Sequence, residues 1–247
     1  MVQSYEVLTL LTFSVEIYLR DQQVSIEVEY SGKASKPGLR YRKGVIKLVL
    51  PEKGYFSPEK IILDNEEWVL DRWNEAQKFR EKVPERKFEE GNSIEIMGTE
   101  RKLVVEKRRS NALEDDRILL AQHLIDQTCL KDQLEKALRN HCREVIHRKL
   151  EAYVSRIEGD YEKVFIRDQD TRWGSCSTKN NLNFNWRLIL GPDHVLDYLV
   201  VHEIVHLEIK NHGQTFWKRV EELRPDYRKS RDWLKQNNAK LVFDSNF

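Results

Sequence analysis

Two histidines four residues apart, with a glutamate directly after the first, stand at His202-Glu203-Ile204-Val205-His206. On a helix, positions i and i+4 share one face, so both imidazoles can address a single ion. Glu203 then points beside that ion, where it can take a proton from a water held there. The chemistry this arrangement suits is metal-assisted hydrolysis, with His202 and His206 as ligands and Glu203 as general base. A third histidine, His212, follows six residues after His206. Catalytic zinc takes three protein ligands and keeps a fourth position open, so His212 completes the expected set.

A chain with seven histidines in 247 residues should hold roughly 0.02 such motifs by chance. A buried helix can carry two histidines as hydrogen-bonded core residues, but that reading leaves His212 and Glu203 unexplained. The HExxHx5H spacing matches the metzincin pattern, whereas Ile209 stands where those proteins carry glycine. The chain must still turn back after the helix, and Asn211 or Gly213 is expected to supply a left-handed residue. Cys176 as a fourth ligand would close the site; a buried thiol is the expected role instead. His123, His141, His147 and His194 show no ligand spacing and are expected at the surface or at helix caps.

The elements that position these residues follow from the pattern around them. Leu182, Phe184, Trp186, Leu188 and Leu190 alternate with Asn183, Asn185, Arg187 and Ile189, which predicts a strand over 182–190 with one apolar face. Gly191-Pro192 ends it, and Asp193 is expected to cap a helix running to Ile209. Tyr198, Phe216 and Trp217 are expected to pack around the site. Arg172-Trp173-Gly174-Ser175 reads as a tight turn, with Trp173 in the core and Arg172 at the rim of a cleft. Arg172, Asn185 and Arg187 are the candidate substrate-binding residues. Arginine suits an anionic group, and an edge strand can pair with an extended peptide. A salt-bridged strand face is the competing reading for Asn185 and Arg187.

Upstream, Val24, Ile26 and Val28 alternate with polar residues, and a second strand is expected from Val45 to Leu50, stopped by Pro51. Ser57-Pro58-Glu59 has the features of a helix start, with Ile61, Ile62, Trp68, Val69 and Trp73 expected inward. Residues 82–90 read as a charged linker and 93–106 as a hairpin turning at Gly98. Lys107-Arg108-Arg109 reads as a solvated loop. A long helical signal spans 115–157, broken near Thr128-Cys129, and a short strand covers 164–166. The chain is expected to divide into a β-rich part with one helix, residues 1–109, and a helical segment plus metal-hydrolase domain, residues 110–247. No internal repeat is visible.

Apolar residues make up 40% and charged residues 34% of the chain, the mix of a globular protein. A net charge of +1 argues against a nucleic-acid partner, which calls for a basic excess. Three widely spaced cysteines, Cys129, Cys142 and Cys176, form no disulfide framework. The apolar stretch Val7–Phe13 is bracketed by Glu6 and Glu16 and lacks the basic start of a signal peptide. No stretch is long enough to span a membrane. These features place the protein in the cytoplasm.

Four segments then bear on kinship: Arg172-Trp173-Gly174-Ser175-Cys176-Ser177, Leu182 to Leu188, Val201 to His206, and Asn211-His212-Gly213-Gln214-Thr215-Phe216-Trp217. Together they resemble the YgjP-like family of predicted metal-dependent hydrolases, relatives of the SprT-like and WLM zincins. The resemblance spans about residues 20–240 and is specific over 164–235. Gly213 departs from the serine more usual there. The resemblance implies an α+β fold: a zincin-like catalytic domain, with a mixed or antiparallel sheet above the HExxH helix, preceded by a smaller β-rich part. It also implies a zinc cofactor. Two substrates stay open: a peptide or protein cut by Glu-activated, zinc-bound water, or a nucleotide pyrophosphate hydrolysed at the same site. A zinc-stabilised interaction module is a third reading, and Glu203 argues against it.

Overall fold

A computed structural model describes residues 12–244; the apolar stretch Val7–Phe13 falls almost wholly outside them. The chain forms two compact units that divide between Val83 and Pro84. Contacts thus place the division ahead of the 109/110 boundary expected from sequence, and the hairpin over 93–106 belongs with the second unit.

In the first unit, β1 (Thr12–Leu19), β2 (Gln22–Ser31), β3 (Gly38–Arg42) and β4 (Val45–Pro51) form a sheet in the order β1-β2-β4-β3. The central pair β2 and β4 is parallel, and both outer pairs are antiparallel. Period-two alternation puts Val24, Ile26 and Val28 with Ile46, Leu48 and Leu50 in one buried cluster. Helices α1 (Pro58–Leu63) and α2 (Glu66–Arg80) add Ile62, Val69 and Leu70 to it. Ser57 caps α1 by accepting a hydrogen bond from the Lys60 amide at 3.2 Å. The single helix expected here is broken at Asp64-Asn65. Trp68 points outward, 37% exposed, because the apolar stripe of α2 runs through Val69, Trp73 and Ala76, and a residue one position earlier lies about 100° around the helix.

The second unit opens with a similar topology. Strands β5 (Ser93–Ile96), β6 (Thr99–Glu106), β7 (Ala112–Leu113) and β8 (Arg117–Ala121) form a sheet ordered β5-β6-β8-β7. Its central pair is again parallel and its outer pairs antiparallel. The β5–β6 hairpin turns on Met97 (φ 53°) and Gly98 (φ 82°), the two left-handed residues of a tight hairpin turn. Helices α3 (Gln122–Ile125) and α4 (Leu130–Val154) follow. Strand order and sense therefore repeat between the two sheets, although no sequence period announces it. Residues 117–121, expected in a helix, are β8. Ile118 to Ala121 form a short, fully buried apolar run, which has the same signature in a buried strand as in a helix.

Strands β9 (Val164–Arg167), β10 (Gly174–Cys176) and β11 (Leu182–Asn185) form a third sheet, with β11 central and β10 at one edge. The strand expected to continue to Leu190 stops at Asn185, and Trp186–Leu190 is a 3₁₀ turn. Ile189, on the supposed polar face, is buried with Trp186, Leu188 and Leu190.

Helix α5 (Asp193–Glu208) is buried nearly all round and packs against α4, α6 (Gln214–Leu223), α7 (Tyr227–Asn237) and β10. Asp193 is its first residue, makes no capping bond, and instead pairs with Lys149 at 2.7 Å. Asp197, buried on α5, receives the Tyr153 hydroxyl at 2.9 Å and pairs with Lys149 and Arg224. This network pins the helix in place. Removing one partner of a buried pair typically costs 3–5 kcal/mol because the other charges are left uncompensated. Asp193 and Asp226 still serve Lys149 and Arg224 in part, so Asp197→Ala should cost about 3 kcal/mol. Urea unfolding of the full chain checks this, and a loss below about 1 kcal/mol would contradict it.

Candidate metal centre

Helix α5 presents His202 and His206 one turn apart, with ring centroids 5.0 Å apart. The helix ends at Ile209, whose backbone is extended (φ −126°, ψ 106°). The Asn211 side-chain oxygen then accepts the Gly213 amide at 3.0 Å. Neither Asn211 nor Gly213 adopts the left-handed conformation expected of this turn; an extended step and an Asx turn bring the chain back instead.

The result is convergence. Nε2 of His212 lies 3.1 Å from Nε2 of His206 and 3.1 Å from Nε2 of His202. Three nitrogens bound to one tetrahedral ion at about 2.05 Å would stand about 3.3 Å apart. Among the described residues, this is the group of His, Cys, Asp or Glu side chains whose ligand atoms close on one point. His206 donates Nδ1–H to the Ile209 carbonyl at 2.9 Å, which leaves its Nε2 lone pair free for a metal. The Phe216 ring lies 4.5 to 4.9 Å from all three imidazoles, and Trp217 lies 5.8 and 5.9 Å from those of His202 and His212. Burial, followed by the two neighbouring imidazoles, pushes the His202 pKa down to about 3. Burial also lowers that of His206. Both rings are thus neutral near pH 7, the form that binds a metal.

Glu203 is 3% exposed and sits between α5 and β10. Burial raises its pKa to about 8 in the metal-free chain, opposed by the positive charge of Arg172. Its Oε2 is buried and makes no hydrogen bond. Three convergent imidazole nitrogens, and an orphaned carboxyl oxygen on the residue next to His202, are what a catalytic zinc and its water would satisfy.

The three substrate-binding candidates separate. Arg172 is exposed and makes no hydrogen bond or ion pair among the described residues, while its charge reaches Glu203. Asn185 is 1% exposed; it donates to the Gln169 carbonyl at 2.5 Å and accepts the Arg187 amide at 3.1 Å. Arg187 pairs with Asp168 and Asp170. Both hold the 168–170 segment against the 3₁₀ turn, the salt-bridged arrangement that the sequence offers as the competing reading. Cys176 stands outside the histidine group, half-buried, with Lys210 Nζ at 3.9 Å. Tyr198 and Phe216 are buried, as the sequence implies. His194 is bonded to Ser230 at 2.9 Å.

Two contributors escape the sequence. The Ile209 carbonyl orients His206, and a backbone acceptor leaves no mark in residue type. Arg219 bonds Glu208 at 2.9 Å, bracketing the loop that carries His212; an Arg eleven residues after a Glu has no local signature.

Fold and site together define a mixed α+β protein with a three-histidine centre built from a buried helix and the loop that follows it. The chain belongs to the YgjP-like family: a model of the YgjP-like metallopeptidase domain matches residues 35–237. It is also similar to a solved structure, the metallopeptidase zymogen jannalysin of Methanocaldococcus jannaschii. That similarity is 18% identity over 39% of this chain and 96% of that one, with a TM-score of 0.32. No curated protein matches the chain. Membership makes the chain a member of a metal-dependent peptidase family. No described helix is long and apolar enough to cross a membrane.

Proposed function

We propose that the chain is a zinc-dependent peptidase in which His202, His206 and His212 hold the metal and Glu203 is the general base. The observation that carries this reading is the convergence of the three Nε2 atoms, with the buried, unpartnered carboxyl of Glu203 directly after the first of these histidines on the same helix. Bound zinc supplies Lewis acidity toward a carbonyl and makes a coordinated water acidic. Glu203 accepts the proton that the water gives up, holds it in a site shielded from solvent, and returns it to the leaving nitrogen. Arg172 stands ready for the substrate's carbonyl oxygen or a nearby carboxylate. The outer edge of β10, unpaired among the described residues, suits an extended peptide.

A nucleotide pyrophosphate is the alternative. Phosphates call for several cations around the metal. Of the arginines named as candidates, Arg187 is committed to Asp168 and Asp170, leaving Arg172 alone. That balance favours a peptide. Three unpaired cysteines fit a reducing compartment, in keeping with a cytoplasmic enzyme.

The test is to incubate the zinc-loaded chain with self-quenched labelled casein and, separately, with a nucleoside triphosphate panel. Casein cleavage that a chelator stops and zinc restores is expected. Chelator-sensitive nucleotide hydrolysis with casein intact would transfer the site to the alternative.

A further inference from the structure

Strand β10 meets the active-site helix at Gly174, which pairs in register with the buried Phe184 of β11. The backbone of Gly174 does not require glycine, since its φ is not positive. What requires glycine is space. A Cβ placed on Gly174 would lie 2.9 Å from both Cγ and Cδ of Glu203, and closer still to Oε1. Carbon atoms in contact stand about 3.5–4.0 Å apart. One face of the Glu203 carboxyl therefore rests on bare strand backbone, while Oε2 is left without a partner.

We propose that Gly174 is a positioning residue for Glu203. The absence of a side chain lets the carboxyl lie against β10, and that contact sets where Oε2 stands. The same strand whose free edge suits a peptide would then fix the base, so substrate and base share one reference surface. The catalytic part of this inference rests on the general-base reading above; the geometric part does not.

Gly174→Ala isolates the effect, because alanine can adopt the local backbone and the group in its way is the end of a flexible side chain. In a crystal structure of the metal-free variant, β10 should keep its course and the Glu203 carboxyl should move by about 1 Å. A misplacement of that size can cost about 10²-fold in rate. With the zinc-loaded chain and labelled casein, kcat should fall by about that factor with KM, zinc content and melting temperature near parental values. Adding Glu203→Asp, one methylene shorter, should make the double variant faster than Gly174→Ala alone, although Glu203→Asp by itself is slower than the parent. A Glu203 carboxyl that stays in place in Gly174→Ala overturns the proposal, as does a double variant no faster than the single. A carboxyl that moves while kcat stays parental supports the positioning and instead removes Glu203 from the chemistry.

Discussion

Glu203→Gln should hold zinc as the parent does and lose about 10²–10⁴-fold in hydrolytic rate, the range of a general base. Glutamine matches the carboxylate in shape, so the contact with Gly174 and the helix around it should survive. What it lacks is the oxygen that accepts a proton. A second readout needs no substrate. Burial raises the Glu203 pKa from its ordinary value to about 8 in the metal-free chain. A raised carboxyl pKa favours the folded state while the group is protonated, and that benefit fades as pH climbs from the ordinary carboxylate range through about 8. The metal-free parent should therefore lose stability over that window relative to Glu203→Gln, whose amide does not titrate. Melting curves from pH 4 to 9 on chelated samples measure the difference. Parallel pH profiles would contradict the buried, lone carboxyl described here, and a fully metallated Gln variant turning over at the parental rate would remove Glu203 from the mechanism.

His212→Ala should release the metal with the fold kept. His212 is exposed on a loop, so its removal opens no core cavity, whereas His206 is buried against Phe216 and its loss would disturb packing. Loss of an outer-shell partner of a zinc ligand typically costs 10–100-fold in affinity; loss of a direct ligand should cost more than about 100-fold. Competition against a coloured chelator measures it, with circular dichroism confirming that the helices remain. Parental affinity would show that His212 is not a ligand and that its approach to the other two imidazoles is incidental.

The candidate metal site is legible in the sequence because its requirement is geometric. Two histidines four apart share one helical face, and a glutamate directly after the first points beside an ion held there. His202, Glu203 and His206 obey that rule before any fold is known. His212 was readable only as the third ligand the count demands; the turn that delivers it uses an extended Ile209 and an Asx turn at Asn211, neither of which composition favours over a left-handed residue. Helix against strand failed at 117–121, where every residue from Ile118 to Ala121 is buried and periodicity vanishes. At 186–190 a real alternation concealed a 3₁₀ turn, because Ile189 reads as the wrong parity until its burial is seen. Asn185 and Arg187 look available for substrate because the Gln169 carbonyl that Asn185 bonds, and the Asp168 and Asp170 carboxylates that Arg187 pairs with, lie more than fifteen residues away in sequence. Gly174 read as a turn glycine, since a need for space carries the same letter as a need for conformation. The repeated strand order of the two four-stranded sheets left no trace, as topology is set by which strands pair and not by any shared residue period.

The most direct test of the account is anomalous diffraction at the zinc edge from crystals of the full chain grown with equimolar zinc. One peak per chain should appear about 2.0–2.1 Å from Nε2 of His202, His206 and His212, with Glu203 outside bonding distance. A chain without that peak, or with zinc bound elsewhere while the three imidazoles stay bare, would contradict it.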